Sequence, residues 1–303
     1  MDRTTAGFDQ LARFWLERAP ARGVVARLDE SIERALRDHD YPAAVKTILR
    51  HLAGAAVLLA SNLKQPATIV LQAQGSGDVP LLCVEATQAL TFRAYANVRS
   101  EAKVADDATL ADLVDRGGKG RFILTIDPDV GQMYQGIVAM EHPTVAENLQ
   151  SYLSNSQQTD TRVWLREDGE ALEACLLERL PDHATGDDMK AWDQLVAAMD
   201  GTFEQPFMPF PYSEWLNFTF ASDDVRLHPA QPVAFACRCS MSRVLNALKL
   251  VGAEELMPLA QERGSIDTRC EFCGQSYQIS QASLVELFAN SSANTAPGSQ
   301  TLQ

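Results

Sequence analysis

The sequence predicts an α+β protein: an N-terminal mixed or largely antiparallel sheet packed with helices, a mainly helical linker region, and a small C-terminal four-cysteine domain. Three observations predict it. Over the first 180 residues, short runs rich in β-branched side chains alternate with one long apolar helical stretch. Beyond Pro181 the composition turns acidic and aromatic. Four of the six cysteines crowd between positions 237 and 273. The expected divisions are a core over 1–180, a metastable linker over 181–235, the cysteine domain over 236–290 and a disordered tail over 291–303.

In the core, 23–28 reads as a strand, and Pro42 to Leu63 as a long helix with proline in its first turn. The near-continuous apolar second half of that helix predicts burial against a sheet. Residues 68–72 and 79–84 form a strand pair around Gly75-Ser76-Gly77, and 90–98 continues the sheet. The glycine turn lacks the Lys-Ser/Thr of a phosphate loop, so it reads as a hairpin connection. Residues 121–126 and 135–140 read as two more paired strands. Thr144-Val145-Ala146-Glu147 is a capping box opening a helix to about Asn155, and strands over 161–166 and 172–180 complete the core.

The linker holds nine acidic residues against Lys190 and Arg226, a net charge of -7, and nine of the chain's 22 aromatics. Met189, Trp192, Leu195, Val196 and Met199 make an apolar stripe at helical spacing behind Asp187-Asp188. Pro206, Pro209 and Pro211 then break regular structure. The tail from Ser291 carries no charge and little to bury.

Composition excludes several classes. A net charge of -14 repels phosphate backbones, so no nucleic-acid partner is expected, and nothing polybasic suggests a membrane surface. The most apolar run, Leu52–Ala60, is short of a membrane span. Met1-Asp2-Arg3-Thr4 shows no secretory pattern, which predicts a cytoplasmic protein, where structural disulfides are rare. No catalytic triad or paired carboxylates stand out, so no enzyme is expected. Cys83 and Cys175 stand alone in apolar surroundings and read as buried residues.

The other four read Cys237-Arg238-Cys239 and Cys270-Glu271-Phe272-Cys273. Four thiolates in two close pairs suit one tetrahedral zinc ion per chain, and a module of this size benefits from a metal staple. The intervening segment offers a helix over 242–250 ended by Gly252. His228 is a weaker ligand candidate, since four sulfurs already complete the tetrahedron. By spacing alone the site could be a structural zinc ribbon. Two features point elsewhere: the first pair has a single intervening residue, and five basic against six acidic side chains leave no basic face.

The stretch Phe235-Ala236-Cys237-Arg238-Cys239-Ser240, Arg243 with Ala247-Leu248, and Cys270-Glu271-Phe272-Cys273-Gly274 followed by Tyr277 resemble the bacterial 33 kDa chaperonins, also called heat-shock protein 33. The resemblance extends through Arg22-Gly23, His39-Asp40-Tyr41-Pro42, Leu71–Gly77 and Tyr134–Val138, covering about residues 20 to 288. The chain departs from it at Leu172-Glu173-Ala174-Cys175, where relatives usually carry a Gly-Gly pair, and at Phe220–Asp224, which lacks a His-Glu.

The resemblance implies a redox-regulated, ATP-independent holdase that acts in oxidative stress. In that picture the reduced zinc-bound form is inactive. Disulfides Cys237–Cys239 and Cys270–Cys273 would release zinc and unfold the module, weakening the linker. Unfolding client proteins would then be held on apolar linker residues such as Trp192, Phe207, Phe210, Trp215 and Phe218, by a homodimer. Two rivals remain. A thiol-disulfide oxidoreductase would place Cys270-Glu271-Phe272-Cys273 after a strand in a βαβ setting, whereas a polar stretch, 261–269, precedes it. A zinc-ribbon interaction module is the other.

Overall fold

A strand without any marked sequence signal, β1 (Gln10–Leu16), opens the fold in the computed structural model, which describes residues 8–19, 21–157, 160–180, 186–208 and 210–293. It pairs antiparallel with β2 (Ala21–Leu28), whose buried valines and alanines form the expected first strand. Helix α1 (Glu30–Leu36) has no side-chain cap of its own; the Asp9 carboxylate accepts from the backbone N–H groups of Asp29, Glu30 and Ser31 at its first turn. Helix α2 (Ala43–Ala60) is the predicted long helix, with Pro42 at its N-cap.

Strands β3 (Ala67–Gln74), β4 (Leu81–Thr87) and β5 (Thr91–Asn97) follow as an antiparallel meander. The turn at Gly75 and Gly77 lies against helix α3 (Leu110–Val114), and a Cβ on Gly77 would sit 2.1 Å from the Leu113 carbonyl oxygen. That close approach, rather than any phosphate, requires the glycines. Strands β6 (Arg121–Pro128) and β7 (Tyr134–Ala139) pair as expected, and Thr144 and Glu147 cap helix α4 (Val145–Gln157) reciprocally.

Strands β8 (Thr161–Asp168) and β9 (Ala171–Arg179) do not extend the sheet of β3–β7. They join β2 through β9 and build a second sheet. The core therefore has two six-stranded sheets instead of one, and α2 packs against strands of both. By length and composition α2 could cross a membrane, but 13 of its residues are buried in this packing.

Helices α5 (Gly186–Glu204) and α6 (Tyr212–Thr219) cover one face of the sheet containing β1, β2, β8 and β9. Three very short strands then tie the chain to both sheets. β10 (Val225–Leu227) and β11 (Gln231–Pro232) pair with β1, while β12 (Ala234–Phe235) lies parallel to β5. Residues through Ala236 form one compact unit, so the linker packs as part of it; those from Cys237 form a second.

In the second unit, α7 (Met241–Val251), α8 (Ala253–Arg263), the antiparallel pair β13 (Ser265–Arg269) and β14 (Ser276–Ser280), and α9 (Gln281–Ala293) follow in order. Helix α9 runs three residues into the stretch expected to be disordered, while 294–303 lie outside the described residues.

Candidate metal centre

The four clustered cysteines come from an irregular segment and a turn of the second unit. Cys237 and Cys239 lie just before α7, whose start is fixed by Ser240: its Oγ accepts from the Arg243 N–H at 3.3 Å. Cys270 and Cys273 occupy the tight turn between β13 and β14. There the Gly274 N–H donates to the Cys270 carbonyl at 2.8 Å, and Gly274 takes a φ of 69° that favours glycine. The Arg269 Nε donates to the Gly274 carbonyl at 2.7 Å and braces the turn from outside.

All four Sγ atoms lie within 4.8 Å of one another. Cys237 and Cys270 are 3.7 Å apart, and Cys239 and Cys273 are 3.4 Å apart. A tetrahedron with zinc–sulfur bonds of about 2.3 Å has edges of about 3.8 Å. The donor set and its spacing therefore fit zinc.

Electrostatics agree with that fit. Burial tends to raise the Cys237 thiol, but hydrogen bonds from the Cys239 backbone and the neighbouring thiols outweigh it and bring it down to about 7. Burial together with neighbouring sulfur raises Cys270 and Cys273. Four sulfurs this close ionise together only around a cation. The Tyr277 hydroxyl, from β14, donates to the Cys239 Sγ at 3.0 Å, and this bond is the main reason its own pKa is pushed up to about 12. Sequence reading passed over this contact as a feature of the site, because it joins residues 38 apart.

The polar stretch 261–269 before Cys270 comprises the end of α8, Gly264 and strand β13. Its partner is the antiparallel β14 of a hairpin, so the βαβ setting of a thioredoxin-like motif is not present around Cys270 and Cys273.

The sequence model of the family described as Hsp33 protein matches residues 9–280. The chain belongs to the Hsp33 family. Its Hsp33 relatives include the 33 kDa chaperonin of Methylobacillus flagellatus, 37% identical over 92% of this chain and 94% of that one. The 33 kDa chaperonin of Pseudomonas fluorescens is 35% identical over 95% and 96% of the two chains. The crystal structure of the 33 kDa chaperonin (heat shock protein 33 homolog) from Thermotoga maritima shares the Hsp33 fold, with a TM-score of 0.77 at 17% identity, covering 94% of this chain and 99% of that one.

The aromatic residues singled out in the sequence lie in the first unit. Trp192 and Trp215 are buried in a cluster between α5, α6 and the sheet face formed by Phe14, Val25, Cys175 and Leu177. Phe207 is half-buried, with its ring 5.5 Å from that of Phe8. Phe210 is partly exposed, and Phe218 points outward at 65% exposure. The structure thus brings Trp192 and Trp215 into one cluster, sets Phe207 beside Phe8 and Arg27, and leaves Phe210 and Phe218 exposed.

Sequence reading missed the charged residues of that interface. Arg27 and Glu173 have fully buried side chains and pair at 2.8 Å, and Arg166 closes on Glu173 from the other side. For Arg27 and Glu173 the signal is a charged residue at an inward position of a largely apolar strand, while Arg166 on the more polar β8 carries none.

Proposed function

We propose that this Hsp33-family chain is a redox-regulated, ATP-independent holdase, inactive when reduced and zinc-bound, and active when its four module cysteines are oxidised. The observation that carries the reading is the four-sulfur cluster in a unit with very little core of its own. Among the described residues, its buried apolar side chains are Leu256, Ala260, Ile279 and Leu284. A unit so thin depends on its ligand cluster for stability.

Bound zinc would hold the four sulfurs as thiolates. Hydrogen peroxide takes an electron pair from one thiolate, giving a sulfenic acid and hydroxide. A neighbouring thiolate then attacks the sulfenic sulfur and displaces a second hydroxide to form the disulfide. The pairs are Cys237–Cys239 and Cys270–Cys273. Although the shortest sulfur contacts run crosswise, these pairs stay close along the chain once the module loosens. Two disulfides remove the donor set, and the fold that depended on it is lost.

The loss reaches the linker along the chain. Cys237 directly follows Ala236, whose N–H donates to the Phe92 carbonyl at 3.0 Å beside β12. With β10, β11 and β12 only two or three residues long, little pairing resists their peeling away. Residues 181–235 then release Trp192, Phe207, Phe210, Trp215 and Phe218 as contacts for unfolded clients, and the -7 charge keeps the opened form soluble. The active form is a homodimer in the cytoplasm, by analogy with the family.

The test compares reduced, zinc-loaded protein with peroxide-treated protein in suppressing light scattering by heat-denatured malate dehydrogenase. Zinc release and free thiols are counted in the same samples. Protection only after oxidation, with about one zinc lost per chain, is the expected result. Equal protection by both forms would make it a constitutive chaperone with a structural zinc.

A further inference from the structure

The two six-stranded sheets are bridged by α2, and where that helix ends they part. A cleft of about 410 Å³ opens there, between β3 and β6 of one sheet and β8 and β9 of the other. Its floor is apolar, made by the buried Ile69, Leu124, Leu153 and Leu176. Leu59, in the last turn of α2, and Leu63, just beyond it, are half-buried at its edge. Side chains alternate along β9: Cys175 and Leu177 face the linker helices, whereas Leu176 and Glu178 face the cleft. The cleft therefore lies on the sheet face away from α5 and α6, and its form is independent of the linker.

The mouth is cationic on a chain whose net charge is -14, with Arg22 and Lys64 set against Glu178 among the lining residues. Arg22 holds Glu178 through Nε at 2.9 Å and Nη2 at 2.7 Å, which leaves Nη1 of the guanidinium fork for a second carboxylate. Lys64 is exposed and has no ion pair among the described residues. Arg22 and Asn62 also line a second cleft of about 230 Å³ that continues to Arg13 and Trp15, so the polar groups gather at the junction of the two. A helix C-terminus ordinarily repels an anion. Here the carbonyls at the end of α2 are already engaged: Leu58 accepts from the Ser61 hydroxyl at 2.7 Å, Ala60 from the Leu63 N–H at 3.1 Å, and Ser61 from the Arg13 guanidinium.

We propose that this cleft binds a free fatty acid, its acyl chain lying along Leu124, Leu153 and Leu176 and its carboxylate held by Arg22, Lys64 and the Asn62 amide. The volume lies within the range of clefts that take small ligands, and an apolar chamber with polar groups at one end matches a molecule built in the same way. A neutral lipid would give the two cations no counter-charge. The floor side chains are buried, so a single chain entering end-on reaches them and a flat lipid surface does not.

The test is isothermal titration calorimetry of the full chain, kept reduced with zinc present, against laurate below its micellar concentration. The expected result is one laurate bound per chain. Decanoate should bind about tenfold more weakly, for the loss of two buried methylenes. Dodecyltrimethylammonium, with the same tail and the opposite charge, should bind at least tenfold more weakly than laurate. The double variant Arg22→Gln, Lys64→Gln changes two exposed side chains and should lose at least tenfold in laurate affinity with an unchanged circular dichroism spectrum. Leu63→Trp, which fills the cleft from its edge, should abolish binding. Absence of saturable binding, equal affinity for the cationic tail, or undiminished binding by either variant overturns the proposal. Retention on phosphatidylglycerol vesicles without binding of monomeric laurate also overturns it, and would mark a membrane surface instead. The comparison of laurate with decanoate and the ammonium needs no variant to fold.

Discussion

At the scale of single residues, Tyr277 and His51 make contrasting use of burial and hydrogen bonding. The Tyr277 hydroxyl donates to the Cys239 sulfur at 3.0 Å, drawing electron density from that sulfur. Removing that donor should make Cys239 a better nucleophile toward peroxide. Tyr277→Phe is expected to lose zinc and thiols several-fold faster under limiting peroxide, followed with a zinc-binding dye, while the reduced protein stays folded. An unchanged rate would show that the bond only positions the ring. His51, on α2, is held neutral. Burial first, and the adjacent Arg50 charge second, bring its pKa down to about 4. The unfolded chain therefore binds more protons than the native one between pH 6.5 and 4, so stability falls as pH drops through that window. By itself this is worth about 2 kcal/mol between pH 7 and 5. Glu167, 3.9 Å from His51 and raised chiefly by burial, titrates in the opposing sense and offsets part of it. Denaturant titrations of the reduced protein should show a flatter acid limb for His51→Gln than for the wild type.

At the scale of elements, the two compact units differ in what makes them stable. The first has a large apolar core around α2, whereas among the described residues the second buries four apolar side chains and none on α7. Withdrawing metal with a chelator under reducing conditions should therefore unfold 237–293 selectively. Amide hydrogen exchange is expected to lose protection in α8, β13 and β14 while β2 and β9 remain protected. Loss of protection in both units at once would mean that the first cannot stand alone. Elements with strong local signals were readable in the sequence. The apolar run of α2, the glycine turn between β3 and β4, the capping box at Thr144 and the paired cysteines each announce themselves within a few residues. What escaped depends on distant partners. β1 has meaning only beside β2 and β10, the split into two sheets follows from β2 choosing β9, and β13 exists because β14 folds back on it. The candidate site divides in the same way: the two cysteine pairs that the fold brings together were legible from their spacing, while Tyr277 on Cys239 and Arg27 on Glu173 join segments that only the fold brings together.

At the scale of the whole molecule, opening and closing need not take the same time. Forming or reducing a disulfide between residues two or three apart is a local event. Restoring the linker requires β12 to find β5, a parallel pairing of Ala234 with Thr91 and Phe235 with Phe92, and requires β10 to find β1. Such distant, two- and three-residue matches are slow to locate, since loop closure must be met before any contact rewards it. After reductant and zinc are returned to oxidised protein, thiol recovery should run ahead of the decline in client holding; simultaneous recovery would show that redocking is fast. If the proposed switch operates, the small parallel strand at the edge of the sheet would give the chain hysteresis, a memory that outlasts the oxidant.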